Sequence, residues 1–272
     1  MAWTDGSDRL ATDFQDLSQG DVLAGAGWLA AASLGPGIAT VGGFDEAGGV
    51  SGFAGGAVVL DGMPAYDWYH GCAPTAAAML LAYWDLHVYS GYFDAEGWDA
   101  LSLTANVEDE ISSPAHNAKY DPARDAQTLA DPPNTSLADF LHTSEGSLGF
   151  GSTWLSQVDP GIEGYTAYRG HALDASSRGF GSVGWQDIVQ EIDAGRPMLF
   201  HVDSDANGVV DHTMAVLGYE DRGAEGVWYG SYTTWDEEER VEWFPFRPME
   251  AGDAYGVYSV TFVHDTAAAL IS

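Results

Sequence analysis

One stretch constrains the fold of this chain more than any other. Residues 74–87 carry small and bulky apolar side chains at helical spacing, among them Ala76, Met79 and Leu80. The proline that opens the stretch suits the first turn of a helix, where its missing N–H group costs nothing. The sequence therefore predicts a buried helix, and Cys72 lies just before the point where it begins.

The C-terminal half of the chain has the pattern of a sheet. Its segments are rich in β-branched and aromatic residues and are bounded by Gly, Asp or Asn. They cover residues 198–202, 212–219, 227–235, 240–244 and 255–263, and shorter helices are expected at 101–111, 137–142 and 185–194. A helix first and consecutive strands last indicate an α+β domain with an antiparallel sheet.

The first 60 residues differ from the rest in composition. They are rich in Gly and Ala and weakly periodic, so we interpret 1–60 as an N-terminal extension and 61–272 as the main domain. The start of the chain is acidic and lacks the basic residues of a secretory signal peptide. The apolar run at 22–44 holds too much Gly for a good membrane helix, so no membrane span is expected. An extracellular or cell-surface location is slightly favoured, although no signal peptide is visible.

The charge balance excludes several kinds of partner. The chain has 41 Asp and Glu against 9 Lys and Arg, a formal net charge of -32. Such a surface repels nucleic acids and anionic membranes. Two interpretations remain open and are compatible: the solvated surface of a halophilic protein from an acidic proteome, or a surface that attracts basic peptides or calcium. The sequence does not determine the oligomeric state.

Cys72 is the only cysteine, which excludes an internal disulfide and a cysteine-rich zinc site. A lone cysteine is most often a small buried hydrophobe, so its role depends on its neighbours. At a helix N-terminus the unpaired N–H groups and the helix dipole favour the reactive thiolate. Gly71 permits close backbone approach, and the N–H of Cys72 could donate to an oxyanion. His70 is a further candidate for tuning the thiol.

His212 is the candidate base. It opens the predicted strand 212–219, and strand ends project side chains into clefts. Its separation from Cys72 lets a C-terminal sheet face an N-terminal helix, the layout expected of a cysteine peptidase. The alternative is a polar residue at the end of a hairpin. The other histidines, including His116 and His201, show no ligand spacing and are interpreted as structural or exposed.

Three segments carry a family resemblance. Residues 66–84 contain His-Gly-Cys-Ala-Pro-Thr-Ala, and 211–219 read Asp-His-Thr-Met-Ala-Val-Leu-Gly-Tyr. Together with 228–246, they resemble papain-like cysteine peptidases of the bacteriocin-leader-processing, double-glycine peptidase-like type, over about residues 60–265. The resemblance implies a papain-like fold and hydrolysis of peptide or amide bonds through an acyl-enzyme on Cys72, with His212 as base. It implies a peptide or protein substrate and no organic cofactor.

Two positions depart from that family. An Asp or Asn is expected at a strand end, separated by one residue from a shielding Trp, yet Thr233 occupies that place before Trp235. We predict Asp236 as the third catalytic residue, with Thr233 as the alternative. A Gln is expected about six residues before the cysteine, where Tyr66 stands, so the Tyr66 phenol is the candidate oxyanion donor. These departures leave open an inactive binding or surface-associated module, and the same dyad could serve an acyl or amide transferase.

A separate motif at 203–211 resembles the opening of a calcium loop. Its candidate ligands are Asp203, Asp205, Asn207 and Asp211, in the pattern D-x-D-x-N-G. The twelfth position of such a loop is Glu, whereas this chain has Met214 there. Asn-Gly is also a strong signal for a β-hairpin turn, which we favour. A structural calcium ion, if bound, would anchor the hairpin that carries the candidate base.

Overall fold

The structure is a computed structural model, and it describes residues 51–52, 56–93, 102–122, 129–235 and 239–265. The helices in these ranges are α1 Cys72–His87, α2 Ala105–Ile111, α3 Pro114–Tyr120, α4 Leu137–Phe140, α5 Leu155–Tyr168 and α6 Trp185–Asp193. The strands are β1 Ser51–Gly52, β2 Ala57–Val59, β3 Leu173–Gly179, β4 Met198–Asp203, β5 His212–Asp221, β6 Val227–Tyr232, β7 Glu242–Pro245 and β8 Gly256–Asp265. Short 3₁₀ turns lie at Phe180–Ser182 and Gly223–Glu225. The predicted α+β architecture is confirmed.

All these strands belong to one antiparallel sheet, in which the pairings run β1-β2-β5-β4-β8-β3 and a branch from β5 adds β6 and then β7. Strand β5 is paired along both of its edges. One edge pairs with β6 over residues 215–221, and β6 pairs in turn with β7. The opposite edge is shared by β4, which pairs with residues 212–216, and β2, which pairs with residues 218–220. His212, the first residue of β5, pairs with Val202 of β4, and β6 pairs with β5 only from Ala215 onward.

Helix α1 is the centre of the packing. Residues 72–85 are all buried, and the three successive alanines Ala76, Ala77 and Ala78 have no exposed surface. Such small side chains let the helix approach the sheet closely, and α1 packs mainly on β5. Burial on every side stabilises it through the hydrophobic effect. The predicted buried helix is confirmed, and it begins two residues earlier than predicted, so that Cys72 is its first residue.

Helix α5 and strand β3 are among the described elements that were not predicted from sequence. Helix α5 contains Pro160 and two glycines, which disfavour a helix by propensity. A Cβ at Gly161 would lie 2.9 Å from the Phe140 carbonyl oxygen, so the glycine allows α5 to pack closely on α4. Strand β3 is rich in Ser and Asp and pairs along β8 at the sheet edge. Tertiary packing outweighs local propensity in both cases.

Residues 51–52 and 56–60 are the part of the predicted N-terminal extension that the structure describes, and they contribute to the sheet. Val58 of β2 pairs with Tyr219 of β5, and Ala57 and Leu60 lie in the hydrophobic core. The boundary at residue 60 stays a prediction, and the apolar run at 22–44 lies outside the described residues. Within the described ranges, no helix has the length and apolar character needed to cross a bilayer.

Candidate active site

The backbone before Cys72 is held in one conformation by Thr75 and Gly71. The Thr75 hydroxyl donates to the Gly71 carbonyl at 2.7 Å, and its oxygen accepts from the Tyr69 N–H at 3.0 Å. Gly71 has φ 150°, and a Cβ there would lie 2.8 Å from the Gly151 carbonyl oxygen. Only glycine fits this position. These contacts explain the glycine and the threonine of the Gly-Cys-Ala-Pro-Thr pattern, and they fix the backbone where the chain enters α1.

Cys72 lies against the start of β5. Its side chain is buried, and the backbone and side chain of Thr213 are close enough to lower the pKa of its thiol, against the larger effect of burial. Thr213 directly follows His212 in β5. The structure therefore brings the sole cysteine of the N-terminal helix next to the strand that begins with His212.

The His212 ring is oriented by two contacts. Its Nε2 lies 2.7 Å from the Thr233 carbonyl oxygen, which can only accept, so Nε2 carries the proton. Its face stacks on Trp235, with ring centroids 4.3 Å apart and planes at 17°. In the neutral ring Nδ1 is therefore the unprotonated nitrogen, as a general base requires.

At the predicted third catalytic position, a main-chain atom makes the contact with His212. Thr233 presents its carbonyl oxygen to His212, in place of the side chain considered from sequence. The next residue, Thr234, has φ 68°, a left-handed conformation that is rare for a β-branched residue. Backbone strain of this kind costs about 1–3 kcal/mol and often occurs at functional sites. Asp236 lies outside the described residues, so its catalytic role stays a prediction.

Burial keeps the Cys72 and His212 pair neutral. It raises the pKa of the Cys72 thiol to about 11, although hydrogen bonds to the Thr213 and Ala73 backbone act in the opposite direction. Burial also lowers the pKa of His212 to about 4, against the effect of the Thr233 carbonyl. The thiolate expected at a helix N-terminus is therefore not the resting form, because loss of solvent outweighs the helix end.

Tyr66, the candidate oxyanion donor, is completely buried. Burial raises the pKa of its phenol, and the negative charge of Asp85 raises that pKa further. Asp85 is thirteen residues along α1 from Cys72, which corresponds to roughly 20 Å of helix. This proximity to Asp85 disfavours Tyr66 as a donor at the cysteine, and its assigned role stays a prediction.

His70 lies in a buried cluster beside the active-site helix. Its ring packs edge-on against His116 and Phe150, with centroids 4.7 Å from each. His116 Nδ1 lies 2.8 Å from the Asp139 carboxylate, and both residues are completely buried. Burial lowers the pKa of His70 to about 3, so His70 is a neutral packing residue at physiological pH.

The acidic loop forms a compact turn between β4 and β5. Carboxylate oxygens of Asp203, Asp205 and Asp211 lie within 4.8 Å of one another. Asp203 accepts from the N–H groups of Asn207 and Gly208 at 3.2 and 2.6 Å, and the Asn207 amide donates to Asp205 at 3.0 Å. Ser204 donates to Asp211 through its N–H at 2.7 Å and its hydroxyl at 2.8 Å, so the turn supplies donors to all three carboxylates. A calcium ion at these residues stays a prediction.

Sequence reasoning missed Thr213 and His201. They are cross-strand neighbours on β5 and β4, and His201 Nδ1 lies 3.0 Å from the Thr213 hydroxyl oxygen. Both are completely buried. The sequence did offer one signal for this contact, a histidine inside an otherwise apolar strand. A histidine buried there needs hydrogen-bonding partners, because buried polar side chains are rarely left without them.

The chain has similarities to a known protein family and to a solved structure. The sequence matches the model of the Peptidase_C39 like family over residues 60–255, a range that includes Cys72 and His212. No curated protein matches the chain. Among solved structures, the chain is similar to the active wild-type interpain A cysteine protease of Prevotella intermedia, with 14% identity and a TM-score of 0.41 over 71% of this chain and 81% of that chain. By the extent of the family match, this chain belongs to the Peptidase_C39 like family.

Proposed function

We propose that the protein hydrolyses peptide or amide bonds through an acyl-enzyme on Cys72, with His212 as the general base. The observation that carries this proposal is that Cys72 begins helix α1, which packs mainly on β5, the strand that begins with His212. The hydrogen bond from His212 Nε2 to the Thr233 carbonyl supports the proposal, because Nδ1 is then the nitrogen that can accept a proton. Nucleophile and base thus come from the two halves of the fold.

The neutral pair suits proton transfer during attack. As the Cys72 sulfur bonds to the substrate carbonyl carbon, its proton passes to His212 Nδ1 and the carbonyl π electrons move to oxygen. The imidazolium keeps its Nε2–H bond to the Thr233 carbonyl, and the Trp235 face stabilises the cation. The proton then passes to the leaving amine as the C–N bond breaks. Water, deprotonated by His212, hydrolyses the thioester and restores the thiol.

The negative tetrahedral oxygen needs a donor. The backbone N–H of Cys72 is in the first turn of α1, where N–H groups have no acceptor within the helix. A donor of this type stabilises an oxyanion most when it is fixed before the reaction. The rigid entry through Gly71 provides that fixation. No organic cofactor is needed for any of these steps.

The charge of the protein favours one class of substrate. With 41 acidic against 9 basic residues, its surface attracts basic peptides, repels acidic ones and leaves neutral ones without either effect. This effect acts mainly on the rate of encounter and weakens as salt rises. We therefore propose that basic and neutral peptides are cleaved faster than acidic ones at low ionic strength.

The test is digestion of a mixed peptide library, followed by mass spectrometry of the products. We expect cleavage by the wild-type protein, none by Cys72→Ala, and a decrease of about a hundredfold or more in His212→Ala. All variants are first checked for folding by circular dichroism. Turnover that survives Cys72→Ala would contradict the proposal.

Two further outcomes favour the rival functions. If the folded wild-type protein cleaves no peptide, a non-catalytic binding module is the better interpretation. If added glycinamide is incorporated into products in preference to water, the protein is an acyl or amide transferase that uses the same dyad.

A further inference from the structure

One exposed aromatic side chain lies close to the nucleophile in the chain. Trp68 is four residues before Cys72, and 37% of its surface is exposed. The large apolar side chains left exposed in the described ranges are Trp68, Val88, Leu129 and Tyr168, and of these Trp68 is the nearest to Cys72 in the sequence. A single exposed apolar side chain is ordinary on a protein surface, so the neighbours of Trp68 decide its role.

Trp68 and the residue before the nucleophile border the same glycine. A Cβ at Gly151 would lie 2.7 Å from Cζ2 of the Trp68 indole and 3.6 Å from the Cα of Gly71. The Gly151 N–H donates to the Ser144 hydroxyl oxygen at 2.8 Å, which holds this glycine in place. The indole therefore lies against the backbone that leads into Cys72, within reach of a side chain of a peptide bound there.

A second ring extends this surface. Phe150 is half-buried and packs edge-on with Trp68, with ring centroids 5.8 Å apart and planes at 61°. The same Phe150 ring packs on His70, two residues before Cys72, with centroids 4.7 Å apart. Because paired aromatic rings hold each other in a defined geometry, we treat Trp68 and Phe150 as one aromatic shelf beside the nucleophile.

A carboxylate is held next to the aromatic shelf. Asp67 is exposed, and its Oδ1 accepts a hydrogen bond from the Trp68 backbone N–H at 2.8 Å. An indole face attracts cations through its quadrupole, and a carboxylate attracts them through its charge. Lys and Arg side chains also cover apolar surfaces with their aliphatic stems. An indole and a carboxylate on adjacent residues thus match both parts of a basic side chain.

We propose that the aromatic shelf and Asp67 form a subsite for an arginine or lysine side chain of the peptide substrate. The aliphatic stem of that side chain lies on Trp68, and its cationic end faces the Asp67 carboxylate. This subsite deepens the proposed function and rests on it, because it acts on a peptide held at Cys72. The net charge of -32 raises only the rate at which basic peptides arrive, whereas the subsite selects where along the peptide the basic residue stands.

The first experiment compares kcat/KM for p-nitrophenyl esters of acetylated dipeptides. Arginine stands at either position with alanine at the other, and citrulline replaces arginine as an uncharged analogue of similar shape. At one of the two positions we expect the wild-type protein to prefer arginine over citrulline about tenfold, the combined effect of one cation–π contact and one exposed ion pair. Trp68→Ala and Asp67→Asn should each reduce this preference to about threefold, and Trp68→Phe should retain most of it.

Two matched variants separate the subsite from general effects of charge and of exposed aromatic residues. Asp174→Asn removes an exposed carboxylate from β3, and Tyr168→Ala removes an exposed aromatic ring from the end of α5. Both should keep the full preference for arginine. If Trp68→Ala does not fold, Trp68→Leu keeps an apolar side chain over Gly151 but has no aromatic face, and the same loss of preference is expected.

The second experiment needs no hydrolysis. Iodoacetyl-argininamide and iodoacetyl-citrullinamide alkylate cysteine, and the protein has one cysteine, so their rates report on Cys72 alone. We expect the arginine reagent to react about tenfold faster than the citrulline reagent with the wild-type protein, and about threefold faster with Trp68→Ala. This pattern of alkylation without any ester turnover would refute the proposed function and leave the site for a basic side chain beside Cys72 standing.

Three results would overturn the subsite. The first is equal rates for arginine and citrulline in the folded wild-type protein in both experiments. The second is an unchanged preference for arginine in the folded Trp68 and Asp67 variants. The third is faster turnover of the matching phenylalanine ester than of the arginine ester, with that difference lost in Trp68→Ala, because the aromatic shelf would then bind an apolar side chain.

Discussion

The imidazole of His212 lies face to face with the indole of Trp235, with ring centroids 4.3 Å apart and planes inclined by 17°. The stacking covers the face of the ring beside its hydrogen bond to the Thr233 carbonyl. Thr234, between these two contacts in the chain, adopts the left-handed backbone that turns the carbonyl and the indole to the same ring. One short segment after β6 thus orients the base and shields it from water.

Removing this indole should expose His212. Burial lowers the pKa of His212 to about 4, so in Trp235→Ala we expect that pKa to rise toward its ordinary value near 6.5. The acid limb of the activity profile should shift in the same direction, with a decrease in kcat/KM of about tenfold. NMR titration of His212 gives the pKa. Trp228→Ala is the control, because Trp228 lies at the other end of β6 against Arg222.

Gly71 should tolerate no side chain. In Gly71→Ala the new Cβ would lie 2.8 Å from the Gly151 carbonyl oxygen, at φ 150°. We expect a loss of about 2 kcal/mol in the free energy of unfolding and a larger loss of hydrolysis, because Cys72 would shift. Gly179→Ala serves as the control, since a Cβ at Gly179 meets nothing within 4 Å. Equal stability of the two variants in urea unfolding would refute this reading of the contact.

Asp211 should make stability depend on pH. Burial raises its pKa to about 7, above its value in the unfolded chain. The stabilising contribution of its protonated form is therefore complete below about pH 4 and is lost as pH rises through about 7. Asp211→Asn should avoid this loss, so its stability relative to wild type should increase between pH 4 and 8. Thermal unfolding measures the difference, and an unchanged difference would argue against a raised pKa.

Part of this site could be predicted from the sequence. Cys72 at a helix start and His212 at a strand start follow from local patterns, and the structure places them there. The hydrogen bonds that join His201 to Thr213 and to Thr261 could not be predicted, because they depend on strand register. From the helix N-terminus we predicted a lowered pKa for the Cys72 thiol, whereas burial raises it. The depth of burial depends on tertiary packing and is not visible in the local sequence.

The third position illustrates another limit. Sequence comparison looks for a side chain in place of the usual Asp or Asn, and it offered Thr233 or Asp236. The described contact is made by a backbone carbonyl, turned inward by a left-handed threonine that local propensity disfavours. Carbonyl oxygens carry no residue identity, so no sequence pattern marks this contact.

Salt should stabilise the protein. Its formal net charge of -32 makes the compact state repel itself, and this repulsion is screened as ionic strength rises. Between 0.01 and 1 M NaCl we expect Tm to rise by at least about 3 °C, which corresponds to about 1 kcal/mol for a domain of this size. A Tm that is constant or falls with NaCl would contradict the interpretation of a surface adapted to saline conditions.

The central claim is that Cys72 becomes acylated with the help of His212. The most direct measurement is rapid-quench intact-mass spectrometry during reaction with a mixture of short peptide p-nitrophenyl esters. We expect one acyl group per chain on Cys72 in the wild-type protein, and acylation at least about a hundredfold slower in folded His212→Ala. Acylation at another residue, or an equal rate in His212→Ala, would contradict the assignment of nucleophile and base.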